Sequence, residues 1–168
     1  DQTISIVDSL KVAESHLRND LNRDDWLAVM MADDYHGPNY LLDLAIATRY
    51  SDAQVIGKAM RFQCTAEGIR LLHPGNAYRE MGRLPVRSSA IRADALPREQ
   101  ILLPWLARAQ NEEWKLPGLA IDPFNYCLDG QNSQDAASIR ARVDDLKLDA
   151  GLPLDQITRA AEDIPPAQ

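Results

Sequence analysis

The sequence predicts an all-α protein, a compact bundle or orthogonal array of about six to seven helices. Three observations favour this class. Residues 51–73 form a long amphipathic stretch with helix start and stop signals, several other stretches place apolar residues at helical spacing, and 168 residues with 45% hydrophobic content suffice for one buried core. We expect a single helical domain over 1–168, with an irregular arginine-rich connection at 75–97, a long non-helical connection near 116–132 and a flexible tail at 162–168.

The central helix is predicted over Ser51–His73. Ser51 can act as N-cap with Gln54 three positions later, which is a capping-box arrangement. His73-Pro74-Gly75 is a stop signal, because proline disfavours continuation and glycine permits a reversal. The apolar residues of this stretch recur at intervals of three and four positions: Val55, Ala59, Phe62, Ala66 and Ile69.

Further helices are predicted from the same periodicity and from capping residues. In chain order they cover residues 3–21, 24–33, 38–49, 98–103, 105–114, 132–150 and 154–161. Gly37-Pro38 makes the turn before the third of these. Residues 76–81 could form a helical turn or two, and Leu84–Val86 a short strand.

The charge is divided into three blocks along the chain. The net charge is −7, with balances of −6 over residues 1–48, +5 over 49–110 and −6 over 111–168. The basic block is nearly all arginine, and arginine suits bidentate capture of carboxylate or phosphate. One interpretation is intramolecular pairing with the acidic flanks; the other is a binding surface for an anionic partner. The candidate partner-binding residues are Arg79, Arg83, Arg87, Arg92 and Arg98.

Overall acidity argues against nucleic acid as the partner, because phosphate binding normally requires a basic domain. No run of eighteen apolar residues is present, so we predict no membrane span. The compartment stays open: a soluble protein in the cytoplasm, or one exported after removal of a signal. The sequence gives no oligomeric state.

A polar cluster lies between the second and third predicted helices. Asp33, Asp34, His36 and Tyr40 could supply a general acid–base pair or half of a metal site. The structural alternative is a helix C-terminus followed by a polar turn, and we favour it because acid–base chemistry needs further partners. No nucleotide-binding, metalloprotease or nucleophile-elbow motif occurs, and we predict no metal and no cofactor.

The two cysteines, Cys64 and Cys127, do not form a CxxC or metal-binding pattern. In an exported protein they could pair, and a loop of that length would contribute roughly 4 kcal/mol. In a cytosolic protein two buried thiols are expected instead.

A local similarity accompanies the second cysteine. Residues 123–130, PFNYCLDG, followed by a helix and then Pro153-Leu154, resemble the C-terminal part of the gamma subunit of soluble methane monooxygenase hydroxylase. That resemblance implies a small, all-helical accessory subunit without an active site. It does not extend to the N-terminal part of the chain, and we do not assign the family from it.

The leading functional hypothesis is a non-enzymatic helical interaction module of the inhibitor, immunity, adaptor or accessory type. Its partner would be another protein with an acidic or anionic surface, bound by the arginines of residues 79–98. The alternative is a small hydrolase or transferase that uses the cluster at 33–40, with or without assistance from a metal. The sequence leans towards the first because catalytic motifs are absent.

Overall fold

The computed structural model describes residues 20–96, 111–132 and 136–144, and this part of the chain consists mainly of β-strands. Two α-helices, α1 at Tyr40–Ala47 and α2 at Ala136–Val143, accompany them. Short 3₁₀ turns lie at Val86–Ser88, Ala93–Ala95 and Gly130–Asn132. The strands are β1 Trp26–Ala28, β2 Tyr35–His36, β3 Val55–Gly57, β4 Arg61–Thr65, β5 Gly68–Leu72, β6 Arg79–Met81, β7 Leu84–Pro85, β8 Ser89–Arg92, β9 Glu113–Trp114, β10 Gly118–Ala120 and β11 Tyr126–Leu128.

The described strands form three sheets. The first has the order β1-β8-β3-β10-β6, the second β2-β11-β4-β5, and β7 pairs with β9 in the third. In the first sheet β3 and β10 are parallel, and in the second β4 and β11 are parallel. The chain passes three times from the first sheet to the second, from β1 to β2, from β3 to β4 and from β10 to β11. The linking residues are 29–34, 58–60 and 121–125.

The central strands of the first sheet, β3, β8 and β10, are buried on both faces. Successive side chains of a strand point to opposite faces. Val55 of β3 therefore packs in one hydrophobic cluster with Leu84 and Trp114, whereas the next residue, Ile56, packs in another with Tyr40. Helix α1 covers the second of these faces with its buried side chains. The second sheet packs against α2 in a separate cluster of Phe62, Cys127, Ile139 and Val143.

The prediction of an all-α bundle is wrong. Residues 51–73, predicted as one helix, form β3, β4 and β5, and β4 and β5 join in a hairpin that pairs Thr65 with Gly68. Gly68 has φ +122°, a conformation open to glycine, and the turn contains Ala66 and Glu67. The apolar positions of this stretch also fit short strands, some of them buried on both faces, and periodicity alone does not separate that case from a buried helix.

Other segments that were predicted to be helical or irregular also form β-strands. Residues 24–33 contain β1, residues 76–81 contain β6, and residues 75–96 contribute β7 and β8 rather than an irregular connection. The segment 116–132 is free of α-helix as predicted, but it supplies β10 and β11.

Some predicted elements are confirmed in position. Helix α1 lies within predicted helix 38–49, α2 lies within 132–150, and β7 overlaps the predicted strand at Leu84–Val86. The predicted helices at 98–103 and 154–161, most of those at 3–21 and 105–114, and the tail 162–168 lie outside the described residues. The all-helical fold implied by the local resemblance at 123–130 is also contradicted, since Tyr126–Leu128 is a strand.

The disulfide considered for an exported protein does not form: both cysteines are free thiols. In the parallel pair β4–β11, Cys127 lies opposite Phe62 rather than Cys64. Burial, and after it the neighbouring Cys64, raises the pKa of Cys127 to about 12, so this thiol stays protonated and unreactive near neutral pH. No helix in the described segments is long and apolar enough to cross a membrane.

Candidate functional site

Asp34 lies at the centre of a buried polar network between the two larger sheets. Its side chain is fully enclosed, and the guanidinium of Arg87 approaches it with two donors, Nε to Oδ2 at 2.9 Å and Nη2 to Oδ1. The hydroxyl of Tyr126 donates to Oδ2 at 2.6 Å, and the backbone N–H of Asp129 donates to Oδ1 at 2.9 Å. Four donors thus compensate one buried carboxylate, which satisfies the requirement for burying a charge.

Three separate segments bring these partners together. Asp34 ends the loop after β1, Arg87 lies in the 3₁₀ turn after β7, and Tyr126 begins β11. Burial, followed by the charge of Asp34, raises the pKa of Tyr126, so its hydroxyl remains a hydrogen-bond donor. Asp129 adopts φ +58°, and its N–H donates to the Asp34 carboxylate. The network extends outward, because Gln63 Nε2 donates to Asp129 at 3.2 Å.

His36 and Tyr40 lie beside this network. The His36 ring is 4.7 Å from that of Tyr40 and 5.5 Å from that of Tyr126, centroid to centroid. Among the described residues, neither His36 Nε2 nor the hydroxyl of Tyr40 has a hydrogen-bond partner. Burial is the main cause that lowers the pKa of His36, and the nearby charge of Asp34 opposes it. This imidazole is therefore held neutral in an aromatic pocket.

The structure brings three of the four predicted acid–base residues together, but without an open site. Asp34, His36 and Tyr40 converge, whereas the side chain of Asp33 is exposed and its backbone oxygen accepts from Gln131. The carboxylate of Asp34 is occupied by its four donors. No group of three or more metal-binding side chains occurs in the described parts of the chain. This cluster is built to hold the two sheets together.

The predicted partner-binding arginines do not form one surface. Arg87 is buried against Asp34, and Arg92 donates to Asp94 at 2.7 Å. Arg79 is exposed on edge strand β6, and Arg83 is 66% exposed with a loose 4.0 Å contact to Glu113. Arg98 lies outside the described residues.

A second buried charge, Lys58, was not anticipated from the sequence. Its side chain is 0% exposed, and Nζ donates to Asp43 Oδ2 at 3.0 Å and to Oδ1 and the backbone oxygen of Asp122 at 3.3 Å. Asn125 Nδ2 also donates to Asp43, at 3.0 Å. Lys58 follows β3 directly and Asp122 follows β10 closely, so the two parallel strands place them together. A lone lysine after the apolar run Val55–Gly57 was the only sequence signal.

An open cleft of about 800 Å³ lies beside the C-terminal end of α1. Its walls come from residues 50–53, from Tyr78 and residues 80–82, and from residues 117–119. Glu80 of edge strand β6 pairs with Leu119 of β10, so the cleft follows the edge of the first sheet. Helix α1 packs on the sheet through the cluster that contains Ile56 and Leu119, and it ends at Ala47, three residues before Tyr50 of the cleft.

Two tyrosines stand at the cleft with their rings in solvent. Tyr50 is 59% exposed and Tyr78 is 67% exposed. The Tyr78 hydroxyl donates to Asp122 Oδ2 over a long 3.4 Å, while Asp122 Oδ1 is held by Lys58 and by the N–H of Phe124 at 2.9 Å. Tyr78 has φ +52°, a left-handed conformation that side chains rarely adopt. Such strain is typical of functional positions.

Sequence reasoning missed this cleft because its three walls are far apart in the chain. No protein-family model, curated protein or solved structure matches this chain.

Proposed function

We propose that this protein is a carbohydrate-binding domain that holds a hydroxyl-rich ligand in the cleft between Tyr50 and Tyr78. The observation that carries the proposal is the pair of exposed tyrosine rings at one concave site. The proposal concerns binding, and it replaces the helical interaction module as the function that the geometry supports best.

The aromatic rings provide the first argument. A tyrosine ring can bury roughly 150–250 Å² of surface. Two tyrosines left exposed at one cleft therefore give up a large favourable free energy of burial, which a ligand could restore. Flat apolar faces of this kind match the C–H faces of a sugar ring, while the phenol hydroxyls remain free to bond polar groups. Tyr78 in addition has φ +52°, an unfavourable backbone conformation for tyrosine, and it is 67% exposed.

The polar groups of the cleft provide the second argument. Asp52 and Glu80 contribute carboxylates to the walls, and Asp122 adjoins Tyr78. Ionised carboxylates are acceptors only, and sugar hydroxyls are the matching donors. Asp122 is prepared for this role because Lys58 and Phe124 N hold Oδ1, whereas among the described residues Oδ2 accepts only the long bond from Tyr78.

The size of the cleft agrees with a small ligand. Its volume of about 800 Å³ lies within the roughly 300–1,000 Å³ common for small-molecule sites. Because the cleft is open along the sheet edge, an oligosaccharide can extend beyond it.

Titration of the isotope-labelled protein with a panel of neutral and aminated oligosaccharides tests the proposal. We expect amide shifts confined to residues 50–53, 78–82 and 117–122. Tyr50→Ala and Tyr78→Asn should each weaken binding about 3- to 10-fold, the loss expected for one ring contact. Leu71→Ala is the matched control, since Leu71 is also exposed but lies on the β4–β5 hairpin. If no member of the panel binds, or if both tyrosine variants bind unchanged, the proposal is wrong.

A second candidate retains part of the sequence-based hypothesis, a protein partner with an acidic surface. The observation that favours it is the exposure of Arg79 and Arg83, which protrude near the same sheet edge without a close carboxylate partner for Arg83. Arg79→Glu with Arg83→Glu should abolish co-purification of such a partner, and Arg70→Glu on the distant hairpin should not. Unchanged recovery with the double variant would eliminate this candidate.

A further inference from the structure

Among the described residues, the charged groups on the walls of the cleft are all negative. Two carboxylates, Asp52 and Glu80, line it together with both tyrosines, and no lysine, arginine or histidine is among the lining residues in the described part of the chain. Arg49 and Arg79 are neighbours of lining residues in the chain, but neither lines the cleft. A ligand that carries a negative charge would therefore meet no positively charged side chain among the described lining residues.

The buried cation behind the tyrosines is already compensated. Lys58 is fully enclosed and ion-paired with Asp43 and Asp122 at 3.0 and 3.3 Å. These two carboxylates outnumber the one ammonium group, and the surplus negative field reaches the tyrosine hydroxyls. Burial and then the charges of Asp122 and Asp43 raise the pKa of Tyr50, and burial followed by Asp122 does the same for the pKa of Tyr78.

The shape of the cleft, the two tyrosine rings and the negative charge of the walls are three separate observations. Together they indicate the chemistry of the ligand. A cation within about 6 Å of a tyrosine ring is attracted to its negative face, and carboxylates on the adjoining walls add a Coulomb attraction that is only partly screened by salt. Hydroxyl groups satisfy the remaining acceptors. We infer that the cleft is selective for an aminated carbohydrate, an oligosaccharide that carries protonated amines beside its hydroxyls.

This inference rests on the proposed carbohydrate-binding function and adds a charge requirement to it. The direct test uses calorimetric titration with three compounds: a β-linked glucosamine tetrasaccharide, its fully N-acetylated counterpart, and spermidine. At about pH 6 an amine of the α-amino kind is protonated. We expect the glucosamine tetrasaccharide to bind roughly fivefold or more tightly than the acetylated one, from one cation–π contact and one partly exposed ion pair, and spermidine to bind more weakly than both.

The outcomes separate the two proposals. Equal affinity for the glucosamine and acetylated tetrasaccharides overturns the amine selectivity and leaves carbohydrate binding intact. Spermidine binding as tightly as the glucosamine tetrasaccharide shows that hydroxyls are not recognised and overturns carbohydrate binding. Absence of binding by all three compounds overturns both.

Charge-removing variants provide a second, independent readout. The double variant Asp52→Asn, Glu80→Gln keeps the shape of the walls, and it should lower the preference for the glucosamine tetrasaccharide by about two- to fivefold, because the ion-pair contribution disappears while the cation–π contact remains. Affinity for the acetylated tetrasaccharide should fall by a smaller factor than affinity for the glucosamine tetrasaccharide, because the amide side chains still accept hydrogen bonds from hydroxyls. Glu67→Gln is the matched control, since Glu67 is exposed in the β4–β5 turn away from the cleft. A preference that the double variant leaves unchanged would assign the selectivity elsewhere and overturn the inference.

Discussion

The guanidinium of Arg87 and the carboxylate of Asp34 form a two-point ion pair in the interior, with Nε to Oδ2 at 2.9 Å. The Asp34 side chain is 0% exposed and that of Arg87 is 11% exposed. The pair joins the 3₁₀ turn after β7 to the loop that leads into β2. Through Tyr126 and Asp129 N it also fixes β11 and the turn that follows it. It therefore connects elements of separate sheets.

Breaking this pair on one side should strongly destabilise the protein. Arg87→Met leaves the Asp34 carboxylate buried without its main counter-charge, and we expect a loss of about 3–5 kcal/mol in the free energy of unfolding. Urea denaturation followed by circular dichroism measures it. Arg83→Met is the matched control and should cost less than about 0.5 kcal/mol, because its side chain is 66% exposed. If the two variants are equally stable, the pair is not a structural connection.

Acidification should reduce stability through His36. Its pKa is lowered in the folded state by burial first of all; Asp34 opposes the shift, and Arg87 adds to it. The rings of Tyr40 and Tyr126 enclose it. The unfolded chain then binds the proton more readily than the folded protein, so stability is complete above the unfolded value of about 6.5 and falls as the pH drops below it.

The measurement for His36 is the urea midpoint between about pH 7.5 and about pH 5.5, a range chosen to lie above the titration of most carboxylates. His36→Gln should flatten the decline over this range, whereas His73→Asn, which removes an exposed imidazole in the turn after β5, should retain it. A decline of the same steepness in His36→Gln would assign the effect to other groups.

The sequence identified local features of the fold better than long-range ones. Gly37-Pro38 and the apolar run after it predicted α1 correctly, since both signals act within a few residues. The helix prediction for residues 51–73 was wrong in part because β3, which is buried on both faces, lacks the alternation that marks a half-buried strand. Gly57 and Gly68 were signals against a helix, because glycine disfavours helical structure. Gly57 permits a close contact between strands, and Gly68 permits a turn.

The candidate sites depended on separations that no local pattern reveals. Asp34 was recognised as a polar residue in a turn, but its partners Arg87 and Tyr126 are 53 and 92 positions away. Tyr78 became a cleft wall only because β6 pairs with β10, which brings residues near 80 and 119 side by side. Both the Asp34 network and the cleft are formed by the pairing of strands that are distant in the sequence. The amino-acid composition does not reveal that pairing.

A methyl group at Gly57 should disrupt the contact between β3 and β8. An added Cβ would collide with Cβ of Ser89 and lie 2.9 Å from the backbone oxygen of Ser88. We expect Gly57→Ala to lower the free energy of unfolding by about 1–3 kcal/mol through overpacking. Gly82→Ala is the control: a Cβ at Gly82 would have no atom within 4 Å, and the change should be neutral or stabilising by up to about 1 kcal/mol. The order of the two urea midpoints decides the prediction.

Tyr78 should show a trade-off between stability and binding. Its left-handed φ of +52° is unfavourable for tyrosine but well tolerated by asparagine, and its exposed ring contributes little packing. Tyr78→Asn should therefore gain up to about 1 kcal/mol, or roughly 2–4 °C in Tm for a chain of this size, while it loses ring contact with the ligand.

Tyr50→Asn separates the two effects of that change. It removes the other exposed ring of the cleft, and Tyr50 is not among the residues with positive φ. We expect it to weaken oligosaccharide binding as Tyr78→Asn does but to leave Tm unchanged or lower. Thermal unfolding and titration of both variants give the comparison. If Tyr78→Asn unfolds at a lower temperature than Tyr50→Asn, the left-handed backbone carries no strain, and only the cleft geometry would explain the exposure of this ring.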